Sequence, residues 1–264
     1  MYVHNLDPVF IDLGIISIRW YSLAYIIGII LGWWVGKKII LRLKIHQNIN
    51  ISLNKFDDLI TYLVISIILG GRIGYIIFYN LQFYLENPIE IFKIWQGGMS
   101  FHGGLVGVIL GTYLFCKRNK IQIFAILDVI ACVAPIGLFF GRVANFINGE
   151  LYGKITTKYW GVIFPKIDGL TRHPSQLYEA ILEGLILFII LNKIITKKNY
   201  VVGTCSYLFL ILYGSFRIFS EIFREPDLQV GYLFNILSMG TLLSIFMVVI
   251  GIILFYFKKN EDKY

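Results

Sequence analysis

Four polar side chains within nine residues offer the strongest chemistry in this chain. Arg142, Asn145, Asn148 and Glu150 lie in Gly-Arg-Val-Ala-Asn-Phe-Ile-Asn-Gly-Glu-Leu-Tyr-Gly, residues 141–153. They follow a run, Ile121 to Phe140, whose only charge is Asp128. An apolar medium does not tolerate such a cluster unless its groups meet partners, water or a ligand. At the end of an apolar run, it suits a ligand that is polar at one end and apolar at the other. A lipid headgroup fits that description.

The elements around the motif belong in a membrane. The chain has 264 residues, 57% apolar and only 15% charged. Soluble domains average about a quarter charged. Several apolar stretches reach the roughly 20 residues that span a bilayer as helix. The fold class expected is an all-α polytopic membrane protein with about seven transmembrane helices. The spans read as about 15–36, 58–80, 97–116, 121–141, 175–193, 202–222 and 233–257. Residues 1–264 form a single integral membrane domain, with 142–174 as a small external head inserted in it. Residues 1–14 lack the basic start of a cleavable signal peptide. Cys116, Cys132 and Cys205 lie in apolar segments without ligand spacing and read as small buried hydrophobes. Glycines at 28, 32 and 36, and at 103, 107 and 111, read as close helix packing.

The linkers alternate in charge. Lys and Arg are about twice as frequent in 37–56, 117–120, 193–198 and the tail as on the other side, and such an excess marks the cytoplasmic face. The N-terminus is then outside and the C-terminus inside. The net charge of +8 is read as cytoplasmic loops facing anionic membrane lipids, with no nucleic-acid partner. This orientation gathers polar groups from many spans at one depth in the outer half: Arg19, Tyr21, Arg72, His102, Arg142, Glu179, Arg217 and Glu221. Arginine suits phosphate, because its planar fork donates two parallel hydrogen bonds. Pairing, such as Arg217 with Glu221, leaves an apparent surplus of positive groups, which points to an anionic ligand. His102 sits in Gly-Gly-Met-Ser-Phe-His-Gly-Gly-Leu and can accept a proton near neutral pH. Ser175 and Glu179, after His173-Pro174, read partly as helix-start chemistry. His4 and His46 read as surface residues.

The whole chain resembles the phosphatidylglycerol–prolipoprotein diacylglyceryl transferases. The resemblance rests on residues 141–153 together with Arg19-Trp20-Tyr21, Gly-Gly-Arg-Ile-Gly-Tyr at 70–75, Gly-Gly-Met-Ser-Phe-His-Gly-Gly at 97–104, His-Pro-Ser-Gln-Leu-Tyr-Glu at 173–179, and Phe216-Arg217 through Arg224-Glu225-Pro226-Asp227. The stretch 154–172 is short for the head of that family. The resemblance implies a bacterial plasma (inner) membrane enzyme with its site in the outer half. It implies transfer of a diacylglyceryl group from phosphatidylglycerol to the lipobox cysteine of a prolipoprotein signal peptide. A thioether forms and glycerol phosphate leaves. It implies catalytic roles for His102, Arg142, Arg217 and Tyr21. Arg142, Asn145, Glu150, Gly153, Arg72 and Glu221 are the expected substrate-binding residues. No cofactor or metal is expected, because the lipid carries its own leaving group and no phosphate-binding glycine loop or metal-ligand spacing occurs.

The residues weigh against three rivals. An anion transporter predicts polar groups through the inner half, where little beyond Asp128 occurs. An intramembrane serine protease using Ser100 and His102 places its pair two apart, where helix residues do not face each other. A non-catalytic lipid scaffold would carry the insertion penalty of these charges without use.

Overall fold

The computed structural model describes residues 1–14, 17–47, 51–94, 97–225, 232–233 and 237–261. Helices dominate, as a chain that must satisfy its backbone in lipid requires. In order they are α1 (Trp20–Gln47), α2 (Leu53–Tyr79), α3 (Leu81–Glu86), α4 (Phe101–Asn119), α5 (Ile123–Asn148), α6 (Ser175–Glu179), α7 (Leu187–Ile195), α8 (Thr204–Glu221) and α9 (Met239–Glu261). A π-helical turn, Ala180–Ile186, joins α6 to α7. Short strands fill the rest: β1 (Tyr2–Val3), β2 (Val9–Asp12), β3 (Ser17–Arg19), β4 (Val162–Ile163), β5 (Thr171–Arg172), β6 (Tyr232–Leu233) and β7 (Leu237–Ser238).

Among the described residues, four helices are long and apolar enough to cross a membrane, within Trp20–Lys44, Leu53–Ile77, Ile123–Asn148 and Gly240–Phe257. The chain is a multi-pass membrane protein. The expected fourth span was too short. Helix α5 continues through the motif to Asn148, so Arg142, Asn145 and Asn148 ride its last turns at three-residue spacing on one face. The expected start of the seventh span is also displaced, because β6 and β7 pair as a hairpin before α9 begins.

Contacts divide the chain into two units, 40–127 and a second formed by 1–39 with 128–264. In the first, α2 and α4 meet through glycines. A Cβ on Gly74 would stand 2.6 Å from Gly103 Cα, and one on Gly111 would stand 2.8 Å from Ser66 Cβ. Small residues allow this approach where lipid supplies no hydrophobic drive. Buried Arg72 reaches from α2 to the segment before α4. Its Nε donates to Ile91 O at 2.9 Å, Nη1 to Gly97 O at 2.6 Å and Gly98 O at 3.2 Å, and Nη2 to Glu90 O at 2.6 Å and Lys93 O at 3.4 Å.

In the second unit, α1 touches α5 where a Cβ on Gly28 would lie 3.1 Å from Gly137 Cα. Strands of the 142–174 segment lie in a three-stranded sheet in the order β1-β4-β5. Tyr2 pairs with Val162 in parallel, and Val162 pairs with Arg172 antiparallel. The N-terminal residues therefore join the 142–174 segment. His4 is buried, contrary to the surface reading. Its Nε2 lies 2.7 Å from Phe146 O, and its ring packs against Phe146 and Phe164. An apolar lead-in hides this from the sequence, since Val162 and Phe164 lie far along the chain. The side chain of His46 lies outside the described residues.

Candidate functional site

Helix α5 delivers Arg142, and the π turn delivers two carboxylates to meet it. Glu179 ends α6 and Glu183 lies inside the turn; both side chains are fully buried. Arg142 Nε stands 2.9 Å from Glu179 Oε2, and its Nη2 stands 3.5 Å from Glu183 Oε2. Helix α8 adds Arg217, whose Nη1 lies 2.7 Å from Glu179 Oε1 and 3.7 Å from Glu183 Oε1. Arg217 Nη2 pairs with Glu221 one turn on, at 2.9 Å. Arg224, just past α8, reaches Glu179 Oε1 at 3.5 Å. Glu179 is thus the hub of three arginines.

The charges balance. Three arginines, Arg142, Arg217 and Arg224, face three glutamates, Glu179, Glu183 and Glu221. The surplus of positive charge read from the sequence rests on Arg19 and Arg72, which are not among this cluster's ion-pair partners, while Glu183 and Arg224 add one charge of each sign. Glu183 sits in an apolar stretch, Ala-Ile-Leu-Glu-Gly-Leu-Ile, outside every motif singled out. Its signal was the insertion penalty of a lone carboxylate in such a stretch. Arg224 fell in a recognised block but was not expected at the site.

Within the cluster Arg142 is the most open arginine, its side chain 16% exposed against 10% for Arg217 and 6% for Arg224. Its Nη1 has no ion-pair or hydrogen-bond partner among the described residues. Such a guanidinium, anchored on one edge and free on the other, can present donors to an oxyanion.

The other expected residues each have a setting of their own. Asn145 is buried, and its carbonyl accepts from Glu150 N at 2.9 Å, turning the chain out of α5. Gly149, at φ +71°, makes that turn possible. Glu150 does not pair with Arg142; its Oε1 accepts from Asn148 Nδ2 at 2.7 Å, and its carbonyl accepts from Gln176 Nε2 at 2.5 Å. Gly153 is wedged between two strands of backbone. It donates to His173 O at 2.9 Å, bridges Arg224, and a Cβ there would lie 2.6 Å from Phe223 O. Glu221 Oε1 also accepts from Ser238 Oγ at 2.8 Å, tying α8 to the start of α9. Tyr21, half-buried at the start of α1, accepts at its hydroxyl from Tyr25 at 3.3 Å and is not among the cluster's ion-pair partners. All five N–H donors of Arg72 are taken up by backbone carbonyls in the unit it belongs to. His102 lies in the first turn of α4, and its side chain lies outside the described residues.

Arg172 braces the segment that follows the motif. Arg172 Nη2 donates to Asp168 at 2.5 Å and Nη1 to Gly153 O at 3.0 Å, with Glu225 at 3.2 Å and the guanidinium over the Tyr152 ring. Hydrogen bonds from Arg172 hold the Asp168 carboxyl below the usual carboxylate range. His173 is held below the ordinary histidine value, first by burial and then by Lys158.

Comparison with known proteins identifies the family. The family model described as prolipoprotein diacylglyceryl transferase matches residues 8–257. A protein of Ehrlichia canis (strain Jake), named phosphatidylglycerol–prolipoprotein diacylglyceryl transferase, is 52% identical over 263 residues, 98% of each chain. A protein of the same name from Rickettsia felis (strain ATCC VR-1525 / URRWXCal2) is 51% identical over 94% of this chain and 95% of its own. Another from Rickettsia bellii (strain OSU 85-389) is 50% identical over 95% of this chain and 94% of its own. With its arginine–glutamate site carried on α5, the π turn and α8, the chain belongs to the prolipoprotein diacylglyceryl transferase family.

Proposed function

We propose that the chain transfers the diacylglyceryl group of phosphatidylglycerol to the lipobox cysteine thiol of a prolipoprotein signal peptide. This is the first step of lipoprotein maturation, and no nucleic acid takes part. The observation that carries the reading is Arg142, fixed on Glu179 along one edge and open along the other. The thiol passes its proton to His102 as base, its sulfur attacks the glyceryl carbon, the carbon–oxygen bond breaks, and that bond's electron pair leaves on the phosphate of glycerol phosphate. Negative charge grows on that phosphate. Arg142 and Arg217 stabilise it; one preorganised donor of this kind is worth about 3–4 kcal/mol. Asn145, Glu150 and Gly153 shape the backbone turn beside Arg142, and Glu221 holds Arg217. Arg72 contributes by fixing the segment that leads into His102. His102 and Tyr21 are assigned to the thiol side of the reaction.

The reading places the enzyme in the bacterial plasma (inner) membrane with seven spans: α1, α2, α4, α5, α6 through α7, α8 and α9. The distribution of Lys and Arg supports an outer N-terminus, a cytoplasmic C-terminus and a site in the outer half. The test is reconstitution in liposomes with headgroup-labelled phosphatidylglycerol and a lipobox peptide carrying one cysteine. Glycerol phosphate release and the gain of a diacylglyceryl mass on the peptide are expected together. Absence of both, with several lipids and peptides and folded protein, would reject the reading.

A further inference from the structure

Glu183 stands apart from the other two glutamates. It is fully buried, and neither carboxylate oxygen has a hydrogen-bond partner among the described residues. Its nearest cations are Arg142 Nη2 at 3.5 Å and Arg217 Nη1 at 3.7 Å, both beyond a good charge-assisted bond. Glu179 and Glu221 each leave only Oε2 without a hydrogen bond, and their cations are closer: Glu179 has arginine nitrogens at 2.7 and 2.9 Å, and Glu221 has Arg217 at 2.9 Å and the Ser238 hydroxyl at 2.8 Å.

A buried cluster already balanced in charge resists a further anion. Desolvated charge must be compensated locally. A lipid phosphate docking on Arg142 and Arg217 adds one negative charge to a site holding three of each sign. Either the anion is repelled or a carboxylate gives up its charge. The groups facing Glu183 are Arg142 from α5, Glu179 from α6, Arg217 and Tyr213 from α8, and Arg224 beyond it, and Glu221 shares Arg217 with it. Of the three carboxylates, Glu183 has the weakest contacts to give up.

Resting on the transferase reading above, we infer that Glu183 is a positioning residue whose carboxylate takes up a proton as the phosphate of phosphatidylglycerol binds, handing Arg142 and Arg217 to the lipid. The step balances in charge. One proton from solvent joins one carboxylate oxygen, and the phosphodiester brings one negative charge in its place. The positive surplus that the substrate needs is then created by binding itself. Lipid affinity becomes linked to pH through this one group. A purely structural carboxylate would show no such linkage.

The test measures protons taken up on binding. A short-chain phosphatidylglycerol is titrated into the purified protein in detergent, without peptide, in buffers of differing ionisation heat. Wild type is expected to take up about one proton per lipid at pH values where the free carboxylate is ionised, and its affinity to fall by up to about tenfold per pH unit there. Glu183→Gln should take up none, bind with no pH slope, and hold the lipid at least as tightly at high pH. Should Glu183→Gln not fold, Glu183→Asp is expected to keep the uptake and shift its pH range. Equal uptake and equal slope in wild type and variant, or no uptake in wild type that binds lipid, would overturn the inference. Wild type that neither binds the lipid nor turns it over in liposomes would instead overturn the reading of the site.

Discussion

Arg142 and Glu179 set the terms at the scale of single residues. In the proposed reaction Arg142 needs its fork, since one edge is spent on Glu179 and the other is left to meet phosphate. Arg142→Lys is expected to lower glycerol phosphate release about 100-fold or more, as loss of one preorganised donor does. Turnover near wild type would rule out a bidentate contact. Glu179→Gln leaves three arginines without their shared carboxylate. Removing one partner of a buried pair typically costs about 3–5 kcal/mol. A large drop in thermal midpoint is therefore expected in detergent, with activity lost alongside. An unchanged midpoint would show that the cluster does not hold α5, α6 and α8 together. Much of this was legible: Arg142 stood out in the polar cluster at 142–150, Arg217 as a charge within an apolar span with Glu221 one turn on, and the family resemblance pointed to both arginines. Glu183 was not, because one glutamate among apolar residues has no spacing to flag it. The pairing of Glu150 with Asn148 was not legible either, since only the turn at Gly149 brings the two into reach.

At the scale of elements, the π turn and the chain reversal after α5 aim the site. A π turn adds a residue to the helical repeat, and such turns occur often at functional sites. Here it follows Glu179 and contains Glu183 and Gly184. A Cβ on Gly184 would lie 2.6 Å from Phe139 Cβ and 2.8 Å from its Cα, so α5 rests directly on the turn. Gly184→Ala is expected to cost about 1–3 kcal/mol through overpacking and to reduce turnover by displacing both carboxylates. Gly153→Ala should do the same through His173 and Phe223. Thermal midpoints measured beside turnover distinguish these from a loss of ligand contact. The anchor at the other end of α8 is Asp128, which accepts from Tyr200 Oη, Gly203 N, Ser206 N and Ser206 Oγ. The sequence showed Asp128 as a lone charge in an apolar run; its partners sit more than seventy residues away and could not be inferred from spacing. In the head, His173 has its folded value lowered, so its neutral form is favoured there. Its contribution to stability is present above the unfolded value of about 6.5 and is lost as pH falls through the window below it. His173→Gln should flatten the midpoint's dependence on pH in that window.

At the scale of the whole molecule, the length of the apolar runs made the helices legible because lipid leaves the backbone no alternative to internal hydrogen bonding. Helix ends were less so. The membrane boundary reads as a change in polarity, whereas α5 runs on through Asn148 as regular helix and carries the polar motif with it. The pairing of β1 with β4 joins residues 160 positions apart, a non-local contact that two-residue strands cannot announce. The central claim is that an arginine site balanced by buried glutamates handles a phosphate leaving group. The most direct measurement is the liposome reaction followed for both products in wild type and Arg142→Ala. Equal amounts of released glycerol phosphate and lipidated peptide from wild type, with both lost in the variant that still folds, is the result this account predicts. Undiminished formation of both products by Arg142→Ala would contradict it.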